Sequence, residues 1–212
     1  MALVHVTTMS VSKPEMLAAW LPAQPWFEGD VSQLVEIAQY RFDDPEGEVG
    51  LNGVLVTAGD DTVYHVPMTW RAEPLEGGEE FFIGNTEHGV LGKRWGYDGI
   101  GDPVFRAELA RVIAQGGSEV EIWVRDPEGN LTERVQTIHL RGSGEDGAAV
   151  PDVSAVEITV DGASSVASTG LAALRLVRVV RDGGRGLVPA GAATLVGTWP
   201  GQDEPAVIAT LE

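Results

Sequence analysis

The chain contains no cysteine among its 212 residues, and it has few basic residues, 14 against 32 acidic ones. The missing cysteine excludes disulfide bonds, thiolate metal sites and cysteine nucleophiles. The charge imbalance gives a formal net charge of −18, which repels phosphate backbones and anionic lipid surfaces. We therefore expect this protein to bind neither nucleic acid nor a membrane surface.

Long apolar runs are also absent. No stretch approaches the roughly 20 apolar residues that span a bilayer, and residues 1–13 lack the basic and apolar regions of a secretory signal. The apolar content of 43% is ordinary for a globular protein, and the length is sufficient for a sizeable core. These features predict a soluble, cytoplasmic protein.

Two helices are indicated by local capping signals. Ser12 and Glu15 have the spacing of a capping box, which predicts a short helix ending near Trp20. Asp102 is a favourable N-cap and Pro103 fits the first turn of a second helix. The apolar residues of this second helix recur on one face, namely Phe105, Leu109, Val112 and Ile113.

The rest of the first half reads as β-structure. Strands are predicted at 34–42, 51–57 and 62–70, and the short acidic, glycine-containing turns between them favour an antiparallel meander. Pro67 lacks an amide donor, which predicts a sheet edge or a bulge. His65 lies on the face of its strand opposite the apolar residues, so we expect it to be a surface histidine. No second ligand lies at a metal-binding spacing from it.

The second half is nearly all β. Strands are predicted at 119–125, 133–140, 156–160, 174–181, 192–199 and 206–211, with a hairpin loop at 126–130. About ten strands and two helices predict an α+β fold dominated by antiparallel sheet. We expect a first domain at 1–117 and a second region at 118–212, packed together as one globular unit.

Three segments carry a family resemblance: 20–27 (WLPAQPWF), 63–71 (VYHVPMTWR) and 86–95 (TEHGVLGKRW). Together they resemble the N-terminal cap domain of actinobacterial maltokinases, over roughly residues 12–110. The resemblance implies a cystatin-like sheet curved around a helix in the N-terminal half. It also implies a role in maltose, trehalose or glycogen metabolism, with maltokinase, trehalose synthase or branching enzyme as possible partners.

Kinase machinery is missing from the sequence. It has no His-Gly-Asp catalytic loop, no metal-binding Asp-Phe triplet and no phosphate-cradling glycine loop with Lys-Ser/Thr. Phosphoryl transfer depends on a positioned base, a metal site and a cationic clamp. The sequence therefore predicts a free-standing, non-catalytic accessory protein without a cofactor, which binds a carbohydrate or a pathway enzyme.

Residues 86–98 combine aromatic, charged and glycine positions at close spacing. The candidate ligand-binding or partner-binding residues are Glu87, His88, Arg94, Trp95, Tyr97 and Asp98. An alternative makes Glu87, His88 and Asp98 an acid/base cluster of an α-glucan hydrolase or transferase. Another interpretation is that the aromatic residues simply anchor a turn to the core.

Overall fold

A computed structural model describes residues 2–5, 9–126 and 128–212. The predicted loop at 126–130 includes Pro127, which lies outside the described residues. The elements of the first half are β1 (Ala2–His5), α1 (Lys13–Trp20), β2 (Leu34–Asp43), β3 (Gly50–Ala58), β4 (Val63–Arg71), β5 (Phe82–His88), β6 (Gly92–Asp98) and α2 (Pro103–Ala114). Those of the second half are β7 (Ile122–Arg125), β8 (Leu131–Arg134), β9 (His139–Gly142), β10 (Glu157–Asp161), β11 (Ser164–Ser168), β12 (Ala173–Val177), β13 (Val179–Val180), β14 (Ala193–Trp199) and β15 (Gln202–Leu211).

The strands form three sheets. The first has the order β2-β3-β4-β6-β5, with β13 added beside β4, and the second has the order β10-β11-β12-β15-β14-β9. A small third sheet has the order β1-β7-β8, and its β1–β7 pair is parallel, whereas the other pairs are antiparallel. The α+β prediction is confirmed, but the described ranges hold fifteen strands, more than the ten expected.

Helix α1 covers one face of the first sheet. Its capping box is present, with the Ser12 side chain accepting from the Glu15 amide and the Glu15 carboxylate accepting from the Ser12 amide at 2.8 Å. Met16 packs over Gly84 and Gly96, which face each other across β5 and β6. A side chain at Gly84 would place its Cβ only 2.9 Å from the Met16 methyl carbon, so glycine permits this close approach.

Helix α2 packs on the opposite side of the first sheet, in a core shared with the second sheet. The Asp102 carboxylate accepts from the Val104 amide at 3.0 Å, which confirms the predicted N-cap. The predicted apolar face of α2 is fully buried. The same core contains Leu51 and Leu55 of β3 and Leu174 and Leu176 of β12. The first sheet therefore has a buried core on each face.

Pro67 lies neither on an edge strand nor at a bulge, contrary to the prediction of one or the other. It lies in β4, and one side of this strand pairs with β3 from Tyr64 to Trp70. On the other side, β4 pairs with β13 at Val63 and Tyr64 and with β6 only from Met68 onward. The missing amide of Pro67 therefore lies at the gap between two partner strands, where no ladder hydrogen bond is lost.

His65 is fully buried, so the prediction of a surface histidine is wrong. Alternation along β4 correctly predicted that His65 lies on the face opposite Tyr64 and Val66. The second sheet covers this face, so both faces of β4 are buried. The Nε2 of His65 lies 2.8 Å from the Tyr40 hydroxyl, and the Tyr40 ring in turn lies over Gly53. Burial, followed by the nearby Arg178 charge, lowers the pKa of His65 to about 3, so the ring is neutral at physiological pH.

The segment predicted as one strand at 133–140 is divided between two sheets. Its start belongs to β8, which pairs with β7, and its end belongs to β9, which pairs with β14. None of the described helices is long and apolar enough to cross a membrane.

Candidate functional site

The six predicted site residues all lie on the β5–β6 hairpin. The register pairs Glu87 with Lys93 and Asn85 with Trp95. Because side chains alternate along a strand, Glu87 and Trp95 share one face with Tyr97. Arg94 and Asp98 point to the opposite face, which α1 partly covers. The hairpin therefore divides the predicted residues between its two faces and does not place all six on one surface.

The hairpin ends in residues 88–91, here called the tip. The His88 Nδ1 accepts hydrogen bonds from the amides of Val90 and Leu91, at 3.3 and 3.1 Å. This arrangement fixes the turn while directing two apolar side chains outward, since Val90 is 56% exposed and Leu91 48% exposed. Among the described residues, neither apolar core includes Val90 or Leu91, so the tip is an ordered apolar feature of the surface.

The outer edge of β5 near the tip is paired with the segment before α1. Ser10 donates its amide to the Glu87 carbonyl at 3.1 Å, and its hydroxyl accepts from the Glu87 amide at 2.9 Å. Thr86 Oγ1 accepts from the Val11 amide at 3.1 Å. Here the backbone of β5 is satisfied, so the Glu87 side chain, which is exposed, is the part of this residue open to a ligand.

The base of the hairpin is buried and carries an ion pair. The Asp98 carboxylate accepts from Arg178 Nη2 at 2.5 Å, and Arg178 Nε donates to the Ser165 hydroxyl at 2.8 Å. The Arg178 guanidinium also lies 5.3 Å from the ring centre of Trp26, a cation–π contact. Asp98 is thus bound by the second half of its own chain.

This arrangement separates the carboxylates of the predicted acid/base cluster. Asp98 lies five residues along β6 from Lys93, the partner of Glu87, which corresponds to about 17 Å along the strand. Glycosidases place their two carboxyl groups within roughly 10 Å of each other. Glu87 and Asp98 therefore do not form a carboxylate pair of that kind.

One face of the hairpin is open and carries both aromatic and polar groups. Trp95 lies between Asn85 on β5 and Arg71 on β4, each directly opposite it in register. Lys93 Nζ lies 4.7 Å from the centre of the Trp95 ring. Next along this face, the Tyr97 hydroxyl accepts from the Leu75 amide at 3.0 Å, which ties Tyr97 to the fold.

Arg71 is held in place by a bidentate ion pair. Its Nε and Nη2 donate to the two oxygens of Asp102, each at 2.7 Å. Asp102 is fully buried and also caps α2, so one carboxylate fixes both the start of a helix and the direction of the Arg71 side chain. The hydrogen bonds and the charge of Asp102 raise the pKa of Arg71, which remains positively charged.

Two depressions elsewhere on the surface are shallow. One of about 500 Å³ lies between the Asp44–Glu46 turn and α2, and another of about 390 Å³ lies beside His139 and Trp199. Neither is lined by the predicted site residues. Among the residues that the structure describes, no group of three His, Cys, Asp or Glu side chains could hold a metal ion.

Sequence reasoning missed Arg178, Ser165 and Asn85. Arg178 lies in a strand-like run with no motif, and only the fold brings it to Asp98, 80 positions away. Asn85 could have been found, because it directly precedes the motif at 86–95 and lies two positions before Glu87, so that alternation would place both side chains on one face of a strand. Ser165 had no signal in the sequence that would distinguish it from other small residues of its strand.

One segment of this chain matches a known protein family. Residues 20–102 match the family described as the maltokinase N-terminal cap domain. The match covers less than half of the chain, and it includes Trp26, the β5–β6 hairpin and Asp102, but not Arg178. No curated protein matches the chain. The resemblance noted in the sequence is thus confirmed over residues 20–102, which are similar to the maltokinase N-terminal cap domain.

Proposed function

We propose that this protein is a non-catalytic accessory factor of maltose, trehalose and α-glucan metabolism that docks on a maltokinase-type catalytic partner. The cap family is named for a domain of maltokinase, which supports a partner of that class. Its place of action is then the cytoplasm, with those enzymes. The two regions 1–117 and 118–212 act as one unit in this proposal, since the Arg178–Asp98 ion pair connects them.

The observation that carries the proposal is the apolar tip of the β5–β6 hairpin. Val90 and Leu91 are held outward by the His88 imidazole, although such side chains are usually buried. Rigid apolar groups bind a partner with a small loss of conformational entropy. The tip is therefore suited to insert into an apolar pocket of another protein.

Charges beside the tip define the partner further. Lys93 and Arg94 follow the tip on β6, and Arg94 Nη1 donates to the carbonyl of Lys93 rather than to a carboxylate. Several other cations of the chain are engaged in ion pairs, as in the pairs of Arg71, Arg111 and Arg175. A pocket rimmed by carboxylates would complement this local positive charge.

The test is a direct binding measurement with a maltokinase catalytic domain that lacks its own cap. We expect the wild-type chain to bind, and the double variant Val90→Ser, Leu91→Ser to bind at least about tenfold more weakly. Leu171→Ser is the matched control, because Leu171 is exposed on a distant turn and its replacement should leave binding unchanged.

Two results would contradict the proposal. The first is a wild-type chain that binds none of maltokinase, trehalose synthase and branching enzyme. The second is a double variant that binds as well as the wild type. ATP turnover by the purified chain would overturn the non-catalytic assignment separately.

A further inference from the structure

We infer that the open face of the β5–β6 hairpin binds a neutral oligosaccharide chain. This surface, here called the Trp95 face, consists of Arg71, Asn85, Glu87, Lys93 and Trp95. It lies beside the tip but does not include it. The inference goes beyond the docking role, because the isolated chain should bind the saccharide without any protein partner.

Trp95 is the centre of this surface. It is half-buried, yet among the described residues neither apolar core includes it, and the same is true of Phe82 farther along the hairpin. Phe82 is 38% exposed and packs edge-to-face on Tyr97, with ring centres 5.5 Å apart. A half-buried indole outside both cores presents part of its apolar surface to solvent, and the C–H face of a sugar ring complements such a surface.

Hydrogen-bonding groups surround the indole in register. Asn85 and Arg71 are its direct neighbours on the two flanking strands, while Lys93 and Glu87 form the next pair toward the tip. Asn85 offers both a donor and an acceptor, Glu87 offers acceptors and Lys93 offers donors. Arg71 uses Nε and Nη2 for Asp102, so its Nη1 remains for a ligand. Such mixed groups around an aromatic ring match the hydroxyls of a saccharide.

Lys93 is the group that a sugar would displace. Its ammonium lies over the Trp95 ring, where the saccharide would stack. Lys93 is exposed on a flexible four-carbon stem, so it can swing aside and donate to a hydroxyl instead. This movement breaks only one exposed cation–π pair, which is among the weaker interactions in proteins.

The shape and charge of the surface select the ligand class. The face spans β4, β6 and β5, about 10 Å across, which accommodates a chain of two or more pyranose rings. Neither of the two depressions described above lies at this face, which favours an extended chain over an enclosed monosaccharide. The face itself is close to neutral, because Glu87 lies opposite Lys93 and Arg71 is paired with Asp102. The net charge of −18 also disfavours anionic saccharides, so a neutral saccharide chain is the expected class.

The experiment is an NMR titration of the full chain with maltoheptaose, with cellohexaose as the comparison chain. We expect shifts of the Trp95 indole N–H and the Asn85 side-chain amide, with dissociation constants of about 0.1 to 1 mM. Trp95→Ala should weaken binding at least about tenfold, and Asn85→Ala should weaken it several-fold. Trp95→Tyr keeps an aromatic surface and should retain part of the affinity.

Trp123→Ala is the matched control, because Trp123 is also half-buried but lies on β7, in another sheet. It should bind the saccharide as the wild type does. Binding of either chain at the Trp95 face supports the inference; a preference for maltoheptaose would connect it to the proposed function. The absence of shifts with both chains, or wild-type affinity in Trp95→Ala, would overturn it while leaving the docking measurement unaffected.

Discussion

The carboxylate of Asp98 and the guanidinium of Arg178 form a buried ion pair between residues 80 positions apart in the chain. Asp98 ends β6, within the cap-like segment, and Arg178 lies between β12 and β13, outside that segment. The pair thus joins the cap-like domain to the second half of the protein. Trp26, from the first cap motif, packs against the same guanidinium.

Removing one member of this pair should destabilise the fold strongly. Arg178→Met leaves the buried Asp98 carboxylate without its charged partner. We expect a decrease of about 3 kcal/mol in the free energy of unfolding. The double variant Asp98→Asn, Arg178→Met should lose less than the sum of the two single variants. Urea denaturation measures all three. The control is Arg181→Met, whose ion pair with Glu28 is exposed and should contribute little; strictly additive effects at Asp98 and Arg178 would contradict this prediction.

Stability should fall with decreasing pH because of His65. Its folded pKa of about 3 lies below the ordinary value of 6.5, so between these values the unfolded chain binds a proton that the native chain does not. The stabilisation that the neutral His65 ring contributes to the fold is complete above pH 6.5 and is lost as the pH falls toward 3. From pH 6.5 to 5 the decrease in the free energy of unfolding is about 2 kcal/mol.

The difference between wild type and His65→Gln isolates this effect, since the carboxylates titrate in both proteins. Gln places its amide near the Tyr40 hydroxyl that contacts His65 Nε2. The free energies of unfolding of wild type and His65→Gln, measured at pH 7.5, 6.5 and 5, should converge at the lowest pH. Parallel pH profiles would show that the imidazole is not the responsible group.

Gly53→Ala should disrupt the contact between Tyr40 and the sheet. The added Cβ would lie 1.9 Å from Cζ of Tyr40, a fully buried ring that has no space to move into. We expect a decrease of about 2 to 4 kcal/mol in the free energy of unfolding, measured by thermal or urea denaturation. Gly186→Ala is the control, because a Cβ there meets no atom within 4 Å. Equal stability of the two variants would refute the steric explanation.

His88 should determine the shape of the tip. His88→Phe removes the acceptor of the Val90 and Leu91 amides, whereas His88→Asn supplies an amide oxygen that can accept from the same turn. Heteronuclear NOE measurements on the Val90 and Leu91 amides should show increased motion in His88→Phe and near-native order in His88→Asn. Unchanged order in His88→Phe would show that the strands alone fix the turn.

Local signals in the sequence were sufficient for both helices and for strands β2, β3 and β4. The capping box of Ser12 and Glu15 and the N-cap at Asp102 operate within a few residues, so both helices were found with nearly correct bounds. The meander followed from alternation and short turns for the same reason. Strand β11 was not predicted, because its small polar residues have low strand propensity and are buried only by the fold.

Long-range packing explains the errors. Alternation placed His65 on the correct face of β4, but only the second sheet makes that face a core. Pro67 was predicted at an edge or a bulge, because the sequence does not show that β4 has two successive partners on one side. The candidate residues were identified in one segment, but the β5–β6 hairpin was not predicted, and alternation along its strands divides them between two faces.

The sequence by itself determined the helices, most of the strands, the strongly acidic character and the cap-like motifs, because each of these is encoded by neighbouring residues. Only the tertiary structure decided that Asp98 is bound by Arg178, that His65 is buried and that Val90, Leu91 and Trp95 remain outside the cores. Those outcomes depend on which distant segments cover a surface, and burial by distant segments leaves no local pattern in the chain.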